Sequence, residues 1–121
     1  DGRGPVLVLW LEEGAEPTEH LLHELAAAGR PQGRVVLFLR GERSLRHPAV
    51  GGYLDVHPQA EVLFDDWEYD LEQLARLLGC DPERPPLCLV CNRQGKAVYA
   101  ESGYRVGMAQ LLLRILKEAS L

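Results

Sequence analysis

The sequence predicts an α/β fold in which helices cover both faces of a mixed central sheet of about five strands. Two uninterrupted apolar runs, residues 6–11 and 35–39, are typical of strands buried on both faces. Between them, Leu21, Leu22 and Leu25 recur at the spacing of a helix. A strand, a helix and a second strand in this order predict a parallel pair joined by a right-handed crossover.

The second half of the chain adds the remaining elements. Residues 92–95, Asn-Arg-Gln-Gly, have the composition of a tight turn between two apolar runs, which predicts an antiparallel hairpin. The residues between 42 and 59 have weak periodicity, and we expect a long loop there with one helical turn around 44–46. The other expected elements are a strand at 61–64, a helix at 71–78, hairpin strands at 87–91 and 96–100, and a closing helix at about 108–119.

Length and composition limit the possible functions. At 121 residues and 46% hydrophobic content, the chain suits a single domain spanning residues 1–121. A net charge of -5 provides no field that would attract a nucleic acid, and no apolar run approaches the roughly 20 residues that span a bilayer. The chain begins Asp-Gly-Arg-Gly without Met or a leader, so we expect a processed product or a piece of a longer protein.

The order of elements from residue 6 to 116 resembles the thioredoxin fold. The most specific local match is residues 86–98, in which a proline starts a buried strand and a polar turn ending in glycine leads to the next strand. This segment is similar to one in membrane-anchored thiol-disulfide reductases and peroxiredoxin-like proteins. Residues 60–66 and the helix after them are similar to the strand and helix that precede that proline in the same proteins.

The resemblance implies a reactive corner of the fold, where residues 15–18 at the start of the first helix lie beside Pro86. This chain lacks the thiols of that corner. In that family the proline matching Pro86 is usually cis and lies beside a Cys-x-Pro-Cys motif, whose first cysteine attacks a disulfide and whose second resolves it. Aligning the prolines places Ala15 at the attacking position, Pro17 at the matching proline and Thr18 at the resolving position. Ala15 has no nucleophile, and we expect Thr18 to cap the first helix rather than to react. The sequence therefore favours a module without redox activity or catalytic residues.

The resemblance also implies where a partner would bind. Family members receive an extended substrate beside the proline by backbone pairing. The equivalent surface of this chain would bind a protein or peptide without any cofactor, although an ordinary loop and strand end would contain the same residue types. The residues of this candidate edge are Glu12, Glu13, Ala15, Pro17, Thr18, Pro86 and Leu87.

A narrower resemblance concerns the segment Gly-Tyr-Arg-Val-Gly at 103–107. Together with the cysteine-free corner and the Pro-Pro strand, it is similar to a thioredoxin-like module attached to bacterial transglutaminase-like proteins. This resemblance implies an extracytoplasmic accessory domain of a larger polypeptide. The Cys-His-Asp type site of those partners matches nothing in these residues, so its chemistry would lie elsewhere.

Cysteines and histidines offer alternative chemistry. Cys88 and Cys91 have C-x-x-C spacing, but residues three apart on a strand face opposite sides, which favours small core residues over a disulfide or metal site. Cys80 follows a helix, and the alternative function is a thiol-dependent oxidoreductase or peroxidase that uses it. His20 and His23 supply only half of a metal site, so we expect a solvated helix face and no metal.

One stretch of an otherwise acidic chain is basic. Five arginines occur between residues 30 and 46, with a single acidic residue among them. Two interpretations remain open, namely ordinary solvent-exposed arginines and a site for an anion or an acidic protein.

Overall fold

The structure is a computed structural model that describes residues 4–12, 14–64 and 68–121, without the side chains of 68–70. The strands are β1 (Val6–Trp10), β2 (Arg34–Leu39), β3 (Glu61–Phe64), β4 (Leu87–Cys91) and β5 (Ala97–Ser102). The helices are α1 (Glu16–Ala27), α2 (Pro48–Val56), α3 (Glu68–Leu77) and α4 (Met108–Ala119), and a 3₁₀ turn covers Glu42–Arg46.

The five strands form one mixed sheet in the order β3-β2-β1-β4-β5. β1, β2 and β3 are parallel, whereas β4 is antiparallel to both β1 and β5. Leu9 lies at the centre, paired with Leu37 of β2 on one side and Cys88 of β4 on the other. The predicted mixed sheet, the crossover from β1 to β2 and the hairpin are confirmed.

The core divides according to the alternation of side chains along each strand. Leu7 and Leu9 of β1 are fully buried against α1, α2 and α4 in one continuous cluster. Trp10, on the other face of β1, shares a groove with Leu71 of α3, so the helices lie on both faces as predicted. The first face also buries Leu21, Leu22, Leu25, Val35, Leu37, Leu39, Ala49, Val50, Tyr53, Cys88, Val90, Met108, Ala109, Leu112 and Leu116.

The two cysteines with C-x-x-C spacing on β4 do not form a disulfide with each other. Cys88 is fully buried in the core cluster, Cys91 is partly exposed at the end of the strand, and both thiols are free. Because the two cysteines are three positions apart on an extended strand, their side chains belong to opposite faces of the sheet. The burial of Cys88 and the partial exposure of Cys91 agree with the prediction that the two side chains face opposite sides of the sheet.

The prediction of a long loop between residues 42 and 59 was wrong over most of that range. The helical turn around 44–46 is confirmed as part of the 3₁₀ turn, but residues 48–56 form α2. Pro48 suits the first helical turn, and the Nδ1 atom of His47 accepts a hydrogen bond from Ala49 N at 3.3 Å, which caps the helix. Gly51 and Gly52 lie inside the helix, where glycine is disfavoured, so their presence weakened the helical signal.

A carboxylate on α1 caps α4. Gly107, at the N-cap of α4, has a φ of 88° and no side chain to satisfy the first amides of the helix. Glu24 supplies the missing acceptor, since its two carboxylate oxygens accept from Gly107 N and Ala109 N at 3.3 Å each and also from the Tyr104 hydroxyl. This contact joins the two helices on the first face of the sheet.

Candidate functional site

The end of β1 and the start of β4 meet at one edge of the sheet. Trp10 pairs with Leu87, so the loop after β1 and the residues before β4 emerge at the same end. The peptide bond between Pro85 and Pro86 is cis, as the resemblance predicted. The buried Pro86 is held in place because its carbonyl accepts a hydrogen bond from Gly103 N at 2.9 Å.

Helix α1 begins at this corner, and no side chain among the residues that the structure describes caps it. Ala15 is the N-cap residue, with extended backbone (φ -80°, ψ 128°), and its carbonyl accepts the first helical hydrogen bond from Glu19 N at 3.2 Å. The prediction that Thr18 caps the helix was wrong. Pro17, whose fixed φ suits the first turn, allows the helix to begin at Glu16, which places Thr18 inside it. Thr18 is 1% exposed, and its hydroxyl has no hydrogen-bond partner among the described residues.

The structure brings several residues of the candidate edge close together. Ala15 N donates to the carbonyl of Glu12 at 3.3 Å in a tight turn, and Glu12 lines the same groove as Leu87. Ala15 and Pro17 are half-buried, whereas the side chain of Thr18 is buried and contributes no surface. Glu13, also assigned to the edge, lies outside the described residues.

A groove of about 680 Å³ opens beside the corner, between the sheet and α3. Trp10, Pro85 and Leu87 are among its apolar lining residues, and Trp10 stacks on Phe38 with the ring centroids 5.2 Å apart. The sequence patterns did not predict Trp10, Arg40 or the residues before Pro85 as parts of this surface, although Arg40 directly follows a predicted strand and could have been recognised. The remaining lining residues are Glu12, Arg40, Leu71, Glu72, Arg76, Asp81, Pro82, Glu83 and Arg84.

The charges around this groove are of both signs. Three guanidinium groups and four carboxylates line it, and two of these pairs are close: Glu12 Oε1 to Arg40 Nη2 at 3.8 Å and Glu72 Oε1 to Arg76 Nη2 at 2.8 Å. The hydrogen bond to Glu72 raises the pKa of Arg76 above its ordinary value. Because these ion pairs are exposed to solvent, they contribute little to the stability of the fold and mainly fix the positions of the charged side chains around the groove.

None of the three cysteines is activated. Burial raises the pKa of the Cys80 thiol, with a further contribution from the Glu101 carboxylate, and burial also raises the pKa of Cys88 and of Cys91. Reactive cysteines have the opposite shift, because the thiolate is the nucleophile. The Cys80 thiol is partly exposed and makes a weak contact, Sγ to O of Leu78 at 3.8 Å.

The histidines of α1 do not form a metal site. His20 stacks on the ring of Tyr104 with the centroids 5.5 Å apart, and His23 is exposed. Within residues 4–12, 14–64 and 68–121, no group of three or more His, Cys, Asp or Glu side chains is placed to hold a metal ion.

Together the sheet order, the crossover helix and the proline at the corner define a thioredoxin-like fold. Two solved structures of under 25% identity share this fold. One is described as a thiol:disulfide interchange protein, DsbE, from Chlorobium tepidum, with 20% identity, a TM-score of 0.61, and coverage of 99% of this chain and 82% of that one. The other is StoA from Bacillus subtilis, with 11% identity, a TM-score of 0.56, and coverage of 94% and 83%.

Neither family models nor curated proteins match the sequence. The helices in the described part of the chain are too short or too polar for any of them to cross a membrane.

Proposed function

We propose that this chain is a single thioredoxin-like domain that binds an extended protein segment at its corner without thiol chemistry. The observation that carries the proposal is the composition of the corner itself. Where a redox member would carry two sulfur atoms at the start of α1, this chain has the methyl group of Ala15 and the buried hydroxyl of Thr18. Neither group can form a mixed disulfide with a substrate.

The backbone beside the corner favours a particular type of pairing. Pro85 and Pro86 have no N–H groups, and the carbonyl of Pro86 already accepts from Gly103. An extended partner would therefore donate its own N–H group to the carbonyl of Pro85. The apolar side chains of Trp10 and Leu87 suit an apolar side chain of the partner. The positive and negative side chains around the groove suit charged residues on either side of that apolar residue.

Selection from a phage-displayed library of random 12-residue peptides tests this proposal. We expect the selected peptides to carry an apolar residue flanked by charges and to lose binding when Ala15→Gln places a larger side chain at the corner. Ala27→Gln, the same change at the exposed other end of α1, is the control and should retain binding. Arg84→Glu on the rim should weaken binding, whereas Arg114→Glu on the exposed part of α4 should not. Equal loss in test and control variants would contradict the proposal.

The alternative, a thiol-dependent oxidoreductase or peroxidase using Cys80, makes the opposite prediction. Because burial and Glu101 favour the protonated thiol, we expect neither insulin reduction nor peroxide consumption above a Cys80→Ser control. Activity in the wild-type chain that is absent from Cys80→Ser would overturn the proposal and establish the alternative.

We further propose that this domain belongs to a larger, extracytoplasmic, transglutaminase-like polypeptide of bacterial type. The support is the resemblance of residues 103–107 taken together with the cysteine-free start of α1 and the Pro-Pro strand. This segment begins at the corner, where Gly103 N donates to the carbonyl of Pro86. The full open reading frame tests this directly, since it should encode a Cys-His-Asp type catalytic domain. One cooperative unfolding transition of the isolated chain would support its assignment as a single domain.

A further inference from the structure

A second cavity lies at the opposite end of the sheet from the corner. It has a volume of about 270 Å³ and is bordered by the start of β2, the start of β3 and the end of α2. This volume is slightly below the roughly 300–1,000 Å³ that is usual for drug-sized ligands, so only a small molecule would fit. Its walls are formed by Arg30, Pro31, Gly33, Arg34, Val35, Tyr53, His57, Gln59, Ala60 and Glu61.

Two buried polar atoms at this cavity have no hydrogen-bond partner in the part of the chain that the structure describes. Tyr53 is 1% exposed and His57 is 8% exposed, and both line the cavity. Their rings lie with centroids 5.0 Å apart, yet neither the Tyr53 hydroxyl nor His57 Nε2 forms a hydrogen bond within the described residues. A buried polar atom without a partner costs roughly 1–3 kcal/mol, so two such atoms at one cavity indicate that something else satisfies them.

The chemistry of the walls defines what that partner would be. Burial raises the pKa of Tyr53 to about 12, so its hydroxyl remains a hydrogen-bond donor at neutral pH. The lining carries the guanidinium groups of Arg30 and Arg34 against one carboxylate, that of Glu61, which binds Arg34 at 2.8 and 3.1 Å. A donor and an excess of positive charge favour an anion over a cation.

Apart from His57 and Gln59, the rest of the lining has no polar side chain. Pro31, Val35 and Ala60 present no side-chain polar groups, so a small inorganic ion would leave these walls without contact. We propose that this cavity binds a small organic monocarboxylate with an apolar body, whose carboxylate is held by the Tyr53 hydroxyl, His57 Nε2 and Arg30. This site is separate from the corner and does not depend on the function proposed there.

Benzoate is a suitable probe, because it combines a carboxylate with a compact apolar ring. We expect saturable shifts of the amide signals of His57 and Ala60 when a ¹⁵N-labelled chain is titrated with benzoate. Benzamide has the same shape without the charge, and benzylamine has the opposite charge. Both should bind at least roughly tenfold more weakly, since each loses a charge-assisted hydrogen bond.

Variants separate a ligand site from a water-filled void. Tyr53→Phe should weaken benzoate binding by about tenfold without lowering the Tm, because it removes a hydroxyl that has no partner in the free chain. Arg30→Gln should also weaken binding, whereas Arg43→Gln, an equal change of charge on the exposed 3₁₀ turn, should not.

Three outcomes would overturn the proposal. The first is no saturable binding up to roughly 50 mM benzoate, well beyond the ~1 mM of a weak ligand. The second is equal binding of benzoate and benzamide, which would show that the charge is not recognised. The third is a lower Tm in Tyr53→Phe together with unchanged benzoate binding by that variant, which would mean that the hydroxyl serves a buried water and not the ligand.

Discussion

Removing the carboxylate of Glu24 should loosen the start of α4. In the native chain this group accepts hydrogen bonds from Gly107 N, Ala109 N and the Tyr104 hydroxyl, and it lies at the positive end of the α4 dipole. Loss of a helix cap costs about 1 kcal/mol, and partial exposure of the carboxylate keeps the expected effect of Glu24→Ala near that value. For a chain of this size the change corresponds to a fall in Tm of about 4 °C.

The dependence of this effect on pH is a second, independent test. Burial raises the pKa of Glu24, but the hydrogen bonds from Tyr104, Ala109 and Gly107 outweigh it, and the net pKa lies below the ordinary value of 4.5. A carboxylate whose pKa is lower in the folded chain contributes stability above its unfolded pKa and loses it as the pH falls through the folded pKa. The stability difference between wild type and Glu24→Gln should therefore be full at pH 7 and should shrink below about pH 4.5.

Thermal unfolding followed by circular dichroism measures both effects. Glu118→Gln, an exposed position in the last turn of α4, is the control and should leave the Tm unchanged or slightly higher, because an acidic group is disfavoured there. Equal Tm values for wild type and Glu24→Ala at pH 7 would refute the capping role. A difference that persists unchanged at pH 3 would refute the ionic part of it.

Three further predictions concern packing and thiols. Thr18→Val should maintain or increase the stability, by up to about 1 kcal/mol, because none of the described residues pairs with the buried hydroxyl, and a lower Tm would show that it has a partner. Gly33→Ala should lower the free energy of unfolding by about 1–2 kcal/mol, since its Cβ would lie 3.0 Å from both the Pro5 carbonyl oxygen and Leu116 Cδ1, and an unchanged chemical denaturation midpoint would contradict that packing. Iodoacetamide should modify Cys80 slowly at pH 7 and faster as the pH rises above 9, whereas rapid modification at pH 6 would contradict the raised pKa.

Sequence patterns predicted the strands and the outer helices well because these elements have one strong signal each. The runs that became β1 and β2 are apolar throughout, as central strands covered on both faces should be. The closing helix α4 was predicted with its observed bounds, because Leu112 and Leu116 repeat on one face between polar residues.

Helix α2 was not predicted because packing against the core stabilises it, whereas the helix propensity of its residues is low. Two adjacent glycines oppose the helix, but Val50 and Tyr53 are buried against the core and His47 caps the first turn. The Nε2 atom of His47 also lies 3.1 Å from Glu19 Oε2 on α1, a contact between helices that no local pattern contains.

The candidate site was predictable only in part for a similar reason. The cis bond before Pro86 follows from the resemblance, and the structure has it. The groove lined by Trp10 and the cavity at Tyr53 each combine residues from distant segments, so neither could be predicted from the sequence of one chain. The cap at Thr18 was predicted wrongly because a proline at the second helical position allowed an earlier start.

The most direct test of the central claim is to return sulfur to the corner. Ala15→Cys together with Thr18→Cys, in a Cys80→Ser background, places two cysteines at the N-cap and third position of α1. We expect this variant to form an intramolecular disulfide, seen as a mass loss of two hydrogens and protection from alkylation. We also expect it to catalyse insulin reduction by dithiothreitol, whereas the parent, which carries only Cys80→Ser, should not. A variant that folds but neither closes the disulfide nor reduces insulin, or a parent that is already active, would contradict the account.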